Sequence, residues 1–347
     1  VASSGAAFAQ EAGGNLNGRW DAALVRNGVE IPFRLDIKGD GPTLQGVFFD
    51  GWTAYDGTTS ASFKDNKLVL NVDHYLTTIN ATLKDGQLAG SAFAQNRETS
   101  AEYTFKAVRH VEQPATAHAP SIAGSYIIPL DTPSSKGEKA FRFVAHQRGD
   151  EVAAAILRID GDTGSYSGTY KDGKWLLSHF DGGRPGVIVV TPKADGTLEV
   201  QQQVERPGQP VATVASNEYS RGATPDGRYA STLVAYRDAV AKAKGLPQPD
   251  DSLTHTTIRD PEEIFAFNFP DLDGKPVSNK DFEGKVVLAI VTGTWCPNCH
   301  DEAQYLVELD KKYRDQGLEI VALTFEEPAQ HAELERAGRI EPRQHGG

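Results

Sequence analysis

Val286-Val-Leu-Ala-Ile-Val-Thr-Gly-Thr-Trp-Cys-Pro-Asn-Cys-His300 holds the two cysteines of this 347-residue chain, three positions apart. The apolar run Val286 to Val291 reads as a strand and Pro297 to Gln316 as a helix. Two thiols at that spacing, where a helix begins, can close into a small disulfide and reopen, which is the chemistry of dithiol/disulfide exchange. The first four N–H groups of a helix lack partners within it and carry partial positive charge. A thiolate there is favoured, and its pKa falls below the free value of about 8.5.

Cys296 precedes the helix and is expected to be the exposed, attacking thiol. Cys299 is expected to resolve the mixed disulfide. It shares a helical stripe with Ala303, Leu306, Leu309 and Tyr313, which should face the core. Pro297 suits the first helical position, where a missing N–H costs nothing. Asp301 and Glu302 lie near the positive end, Lys311, Lys312 and Arg314 near the negative end, and Gly317 is a stop. The same charges also read as a solvated helix face.

Three other readings compete. Cys296-Pro-Asn-Cys299-His300 also spells the c-type haem attachment pattern. The chain has no methionine to serve as a second axial ligand, although a histidine could serve. The setting of strand, Trp295, Cys-x-x-Cys and long helix favours redox exchange over haem. A structural zinc needs about four ligands, and only Cys296, Cys299 and His300 cluster. The plainest alternative is two core cysteines together by chance. The expectation is no metal and no cofactor beyond the redox-active pair Cys296–Cys299.

Beyond the cysteines, the text reads Phe267-Asn-Phe-Pro-Asp-Leu-Asp-Gly274-Lys-Pro-Val-Ser278, then Phe282-Glu-Gly284-Lys285 and the apolar run, then Trp295 to Cys299 with Glu302, then Tyr313 through Gly317 to Leu323. From about Phe265 to Glu327 this resembles the thioredoxin-like TlpA/ResA family of exported thiol-disulfide oxidoreductases. The resemblance implies a thioredoxin-like α/β sheet. It implies protein thiol/disulfide substrates outside the cytoplasm, apocytochromes among them, and an upstream reductant. It also gives Glu302 the place of a helix glutamate that tunes the cysteines, with Trp295 and Pro297 supporting the motif. Gln304 stands where the family has proline, and Ile290 to Trp295 departs from the family's strand ending. Pro328 and Pro342 are the later prolines, and neither precedes a strand-like run. The domain is therefore expected to be C-terminally truncated, with its activity reduced or absent unless another chain supplies the rest.

Length allows two or three domains. Net charge is −12, which makes nucleic acid an unsuitable partner. No apolar run reaches membrane-spanning length. Ala7-Phe-Ala9-Gln10 resembles the small-residue end of a cleaved signal peptide. Having both cysteines in one motif suits an oxidising compartment. An exported, periplasmic location is expected.

Leu16 to Val214 alternates apolar and polar residues in short runs, the mark of antiparallel strands. Phe33–Ile37, Lys67–Val72 and Thr78–Leu83 are candidate strands; Asp85-Gly86 and Asp172-Gly173 are hairpin turns. Gly18-Arg-Trp20 recurs as Gly124-Ser-Tyr126, and Phe33-Arg-Leu as Phe141-Arg-Phe. Ser62 to Leu70 recurs as Thr169 to Leu177, and Lys84 to Leu88 as Lys193 to Leu198. The shift is near-constant at about 107 residues. Trp52, Tyr55, His74, Trp175 and His179 could line a ligand cleft; the plainer reading is sheet-core aromatics and surface histidines. Asp226 to Lys244 reads as a helix, with Leu233, Tyr236, Val240 and Ala243 on one face.

The expected chain is multidomain. Residues 1–14 are a residual leader or flexible end. Residues 15–112 and 121–220 are all-β repeats, a duplicated antiparallel meander forming a barrel or sandwich. Residues 226–260 are a helix and linker, and 261–347 an incomplete α/β thioredoxin-like domain. The function implied is an exported thiol-disulfide oxidoreductase. The alternative is an envelope protein- or ligand-binding β module with an inactive redox remnant.

Overall fold

The computed structural model describes residues 15–26, 28–95, 100–112, 119–134, 136–159, 165–204, 212–215, 233–293 and 296–325. Trp295, Pro328, Pro342, the small-residue start and the Asp226 end of the expected helix lie outside them. The chain forms two compact units that meet in sequence at Ser252 and Leu253.

The first unit opens with nine antiparallel strands: β1 (Gly18–Arg26), β2 (Val29–Lys38), β3 (Gln45–Asp50), β4 (Thr53–Gly57), β5 (Ser60–Lys64), β6 (Lys67–Val72), β7 (Thr77–Lys84), β8 (Gln87–Gln95) and β9 (Ser100–Arg109). Alternation decides which face goes inward. In β6, Leu68, Leu70 and Val72 are buried while Lys67 between turn and strand is exposed. β1 pairs with both β2 and β9. At the other end of the sheet the Thr58 N–H donates to Gly46 O (2.8 Å) and the Thr59 N–H to Asn71 O (2.7 Å), so the meander closes on itself. Closure leaves few strand edges and encloses a core that includes Trp20, Leu24, Leu35, Phe48, Leu70, Ile79 and Phe105.

A second closed barrel follows: β10 (Gly124–Pro129), β11 (Ala140–Arg148), β12 (Glu151–Leu157), β13 (Ser165–Lys171), β14 (Lys174–His179), β15 (Gly186–Pro192), β16 (Leu198–Val204), β17 (Ala212–Ala215) and β18 (Leu233–Arg237). Each strand from β10 to β16 pairs with the next, and β18 joins β16 back to β10, giving an eight-stranded antiparallel ring with β17 hydrogen-bonded alongside β16. The hairpin residues Asp85 and Gly86 (φ 51° and 77°) and Asp172 and Gly173 (φ 50° and 81°) adopt the left-handed pair of a tight hairpin turn, and Asp65-Asn66 (φ 51° and 59°) does the same between β5 and β6.

β18 corrects the sequence reading. Leu233 to Arg237 was expected to be helical and is strand; the helix α1 is confined to Asp238–Ala243. The second β region therefore extends past residue 220. Leu233 and Ala235 alternate inward with equal fidelity to a strand, and the open edges of β10 and β16 supply the hydrogen bonds that decide it.

Both barrels are shut in the same way. The Arg109 guanidinium lies 4.1 Å from the Trp20 ring centre and donates to the carbonyls of Leu16 (3.2 Å) and Asn17 (2.6 Å). Arg237 lies 4.3 Å over the Tyr126 ring and donates to Ala123 O (2.6 Å). In each case an arginine on the last strand caps the aromatic of the first strand and ties the entering chain to it.

The barrels meet through the β14–β15 connection. Phe180 is buried among residues of the first barrel, edge-on to Phe33 (4.6 Å) and Phe48 (5.4 Å). Gly183 follows, so close to Tyr75 that a Cβ would stand 2.6 Å from the ring. Tyr75 is itself buried and cannot swing aside. Gly183→Ala is expected to destabilise the unit by roughly 1–3 kcal/mol through overpacking; urea unfolding with an unchanged slope and a lower midpoint is the measurement.

The second unit opens within a short helix α2 (Ser252–His255). β19 (Asn268–Pro270) and β20 (Pro276–Ser278) form a hairpin whose turn is held by Asp271, which accepts the N–H groups of Asp273 (3.0 Å) and Lys275 (2.8 Å). Ser278 then caps a 3-10 turn, donating to the Asp281 carboxylate from its N–H (2.7 Å) and hydroxyl (3.1 Å). Those donors hold the Asp281 carboxyl below its ordinary pKa. β21 (Val286–Thr292), α3 (Pro297–Tyr313) and β22 (Leu318–Thr324) make a β-α-β unit with the strands parallel and in continuous register from Val286↔Leu318 to Thr292↔Thr324. No helix among the described residues is long and apolar enough to cross a membrane.

Candidate active site

β21 delivers the chain to the cysteines. Its last residue, Thr292, accepts the N–H of Phe325 just beyond β22 (2.7 Å), and the next carbonyl, Gly293 O, accepts the Cys296 N–H (3.0 Å). Cys296 is the N-cap of α3, with extended backbone (φ −97°, ψ 107°). An N-cap oxygen from Ser, Thr, Asp or Asn commonly serves a free N–H of the first turn. Here the acceptor is sulfur: Cys296 Sγ receives the Cys299 N–H at 3.2 Å. Cys296 O receives the His300 N–H (3.2 Å), which starts the helical ladder. Cys296 and Cys299 are joined as a disulfide, with their Cα atoms 5.3 Å apart.

Cys296 and Cys299 are both half-buried, and Asn298 between them is exposed. The expected contrast between an exposed first sulfur and a core-facing second is therefore absent in this oxidised form. The stripe beyond is also less covered than its spacing implied. Ala303 is exposed, and Leu306, Leu309 and Tyr313 are half-buried. A pair of strands covers only a strip of the helix it packs on, and the same narrowness leaves Val286 70% and Val291 73% exposed on β21.

Pro297 opens the helix at its first position. Glu302 is exposed and makes no hydrogen bond or ion pair among the described residues. At the far end Arg314 turns back to the Asp310 carboxylate, and Gly317 (φ 97°) stops the helix in the left-handed conformation. Among the described residues, no three His, Cys, Asp or Glu side chains converge as a metal-holding group.

The cleft residues suggested by the front half separate. Trp52 and Tyr55 line a groove of about 1140 Å³ between the barrels, with His146, Arg148, Gln147 and Asp50. Arg148 stacks on Trp52 at 4.0 Å, and Asp50 accepts the Ser165 N–H at 3.1 Å. Trp175 is a fully buried core residue of the second barrel. His179 is buried rather than on the surface, because it sits where the two barrels press together. Sequence reasoning missed its neighbours Asp181, Arg184 and Tyr75; the Asp-Gly-Gly-Arg-Pro run after Phe180 was the available signal of a special connection.

Residues 262–341 match the AhpC/TSA family. A thiol-disulfide oxidoreductase ResA of Bacillus thuringiensis is 46% identical over 66 residues, which is 19% of this chain and 38% of that protein. A ResA of Halalkalibacterium halodurans is 36% identical over 67 residues, 19% of this chain and 38% of that protein. A probable phospholipid hydroperoxide glutathione peroxidase of Solanum lycopersicum is 34% identical over 67 residues, 19% of this chain and 40% of that protein. The chain thus spans about two-fifths of the length of these relatives. No solved structure matches the chain.

Proposed function

We propose that this chain, whose C-terminal part is a thioredoxin-like homologue of the ResA oxidoreductases, is an exported thiol-disulfide oxidoreductase working through Cys296 and Cys299. The observation that carries the reading is a half-buried disulfide placed on the N-cap of a 17-residue helix. In the reduced form the same helix start favours a thiolate at Cys296. That thiolate attacks a sulfur of a partner protein's disulfide. A bond forms between Cys296 and the partner, and the partner's other sulfur leaves and takes a proton. Cys299, deprotonated, then attacks Cys296 Sγ, closing the internal disulfide and freeing the second partner thiol. Two electrons and two protons pass to the partner, and an upstream dithiol reductant restores the pair. Glu302 is assigned to proton handling during resolution, with Trp295 and Pro297 supporting the motif. The disulfide itself is the redox group, with no separate cofactor.

Export is supported by the restriction of both cysteines to one motif. We read the two barrels as copies of one β unit. Their support is the matching strand order, the shared hairpin turns and the two arginine-capped aromatics. The groove beside Trp52 favours a second role for the barrels, recognition of an envelope protein or ligand, and such binding would persist in Cys296→Ser.

The test is a redox titration of the full chain in glutathione buffers, quenched by acid and alkylated. Both cysteines are expected to gain label together in one two-electron transition, and the reduced protein to pass its electrons to an oxidised protein substrate. Reduced protein that leaves a protein disulfide intact would remove the oxidoreductase reading.

A further inference from the structure

Where the barrels meet, His179, Asp181, Tyr75 and Arg184 converge, the first three buried and Arg184 31% exposed. His179, at the end of β14, and Asp181 are only 5% and 3% exposed. The Asp181 carboxylate takes the Gly183 N–H (3.1 Å), the Arg184 guanidinium (3.2 Å) and the Tyr75 hydroxyl (3.4 Å), the last from the first barrel. Arg184 also donates to the Tyr75 oxygen (3.2 Å). The segment carrying these groups runs directly on from Phe180, which is seated among the first barrel's aromatics. One cluster thus ties the strap Phe180–Pro185 of the second barrel to the turn Asp73–Tyr75 of the first.

The histidine decides the charge state of the cluster. Its Nδ1 stands 2.8 Å from Ser165 O, a carbonyl that can only accept. Its Nε2 stands 3.5 Å from Asp181 Oδ2, within ion-pair distance of the carboxylate but outside hydrogen-bond geometry. A neutral imidazole that gives its one N–H to Ser165 O leaves a lone pair beside the carboxylate; the imidazolium keeps that N–H and sets a positive charge next to Asp181. We propose that His179 is held as an imidazolium in a proton-dependent latch between the barrels, and that loss of its proton loosens the strap Phe180–Pro185 from Tyr75.

The surrounding charges agree. Burial pushes the His179 pKa down, but the Asp181 carboxylate and the Ser165 carbonyl outweigh it and leave it raised, against the opposing Arg184. Burial pushes Asp181 up, and His179, Arg184 and the Gly183 N–H bring it down to about 2. Other groups facing the cluster are the Tyr166 ring on β13, 6.1 Å from the His179 ring, and His74, whose ring lies 4.4 Å from that of Tyr75. Asp50 reaches it through Ser165.

The signs follow. Asp181, depressed below its unfolded pKa of about 3.9, contributes fully above that value and loses its contribution as pH falls through about 2. His179, raised above its unfolded pKa of about 6.5, contributes fully below that value and loses its contribution as pH rises through the folded pKa. The latch is closed between those limits and opens on the alkaline side.

The test is the ring titration of His179 in the isotope-labelled full-length chain by NMR, with the resonance assigned through its bonds. Its midpoint is expected above about 6.5, and in Asp181→Asn below that value, since burial then acts without the carboxylate. In parallel, the stability advantage of wild type over His179→Gln is expected to fall about tenfold in unfolding constant per pH unit between about 6.5 and that midpoint. A wild-type midpoint at or below the ordinary value, or an advantage unchanged across the range, overturns the proposal. The wild-type titration stands even if neither variant folds.

Discussion

Cys296→Ser is expected to abolish exchange with protein disulfides, leaving only the background rate. Serine keeps the N-cap geometry, since its oxygen can accept the Cys299 N–H as the sulfur does now. The helix should therefore survive, and the loss isolates the nucleophile. Cys299→Ser makes the informative contrast. Cys296 can then still attack, but nothing resolves the mixed disulfide, so a covalent adduct with the partner should accumulate on non-reducing gels. The helix start sets the size of the effect at neutral pH. A thiol of pKa about 8.5 is roughly 3% thiolate at pH 7, whereas one lowered to about 7 is half thiolate. Alkylation of the reduced protein should accordingly be about three- to fourfold faster at Cys296 than at a free cysteine, after allowing for the weaker nucleophilicity of a more acidic thiol. An adduct forming equally in both serine variants would sink the assignment of roles.

Phe180→Ala is expected to cost about 3–5 kcal/mol, the range for truncating a buried phenylalanine. For a unit of this size that corresponds to a drop of roughly 6–20 °C in melting temperature. The larger consequence is where the loss appears. Phe180 follows a strand of the second barrel, yet its ring completes the aromatic set of Phe33, Phe48 and Phe105 in the first. A cavity there weakens one barrel's core and the junction together. Calorimetry should show the wild-type transition of the first unit moving down and separating into two as the barrels lose their coupling. A change below about 1 kcal/mol, ordinary for surface substitutions, would mean that the ring does not hold the junction.

How much of this was legible in the chain depended on distance along it. Lys67–Val72 is strand β6 as its alternation implied, and Asp85-Gly86 and Asp172-Gly173 turn as their types demand. These are choices among neighbours a few residues apart, where side-chain period and allowed φ leave little freedom. Leu233 to Arg237 failed for the complementary reason. Leu233 and Tyr236 suit a helical face as well as Leu233 and Ala235 suit a strand, and the tie is broken by β10 and β16, more than thirty residues away. The cysteine pair was visible from spacing alone, but its half-burial, and the exposure of Ala303 on the same helix, follow from how little sheet lies beneath.

Local pattern was thus enough for the paired cysteines, the helix start beneath them, the β character of the front half and its tight turns. Each of these rests on interactions between residues close in the chain. Long-range packing set the rest: each meander closes into its own barrel, Phe180 crosses from one core into the other, and His179 is enclosed between two oxygens. Those features depend on which distant surfaces exclude water from one another, and burial and charge at such a junction exist only once both sides are in place.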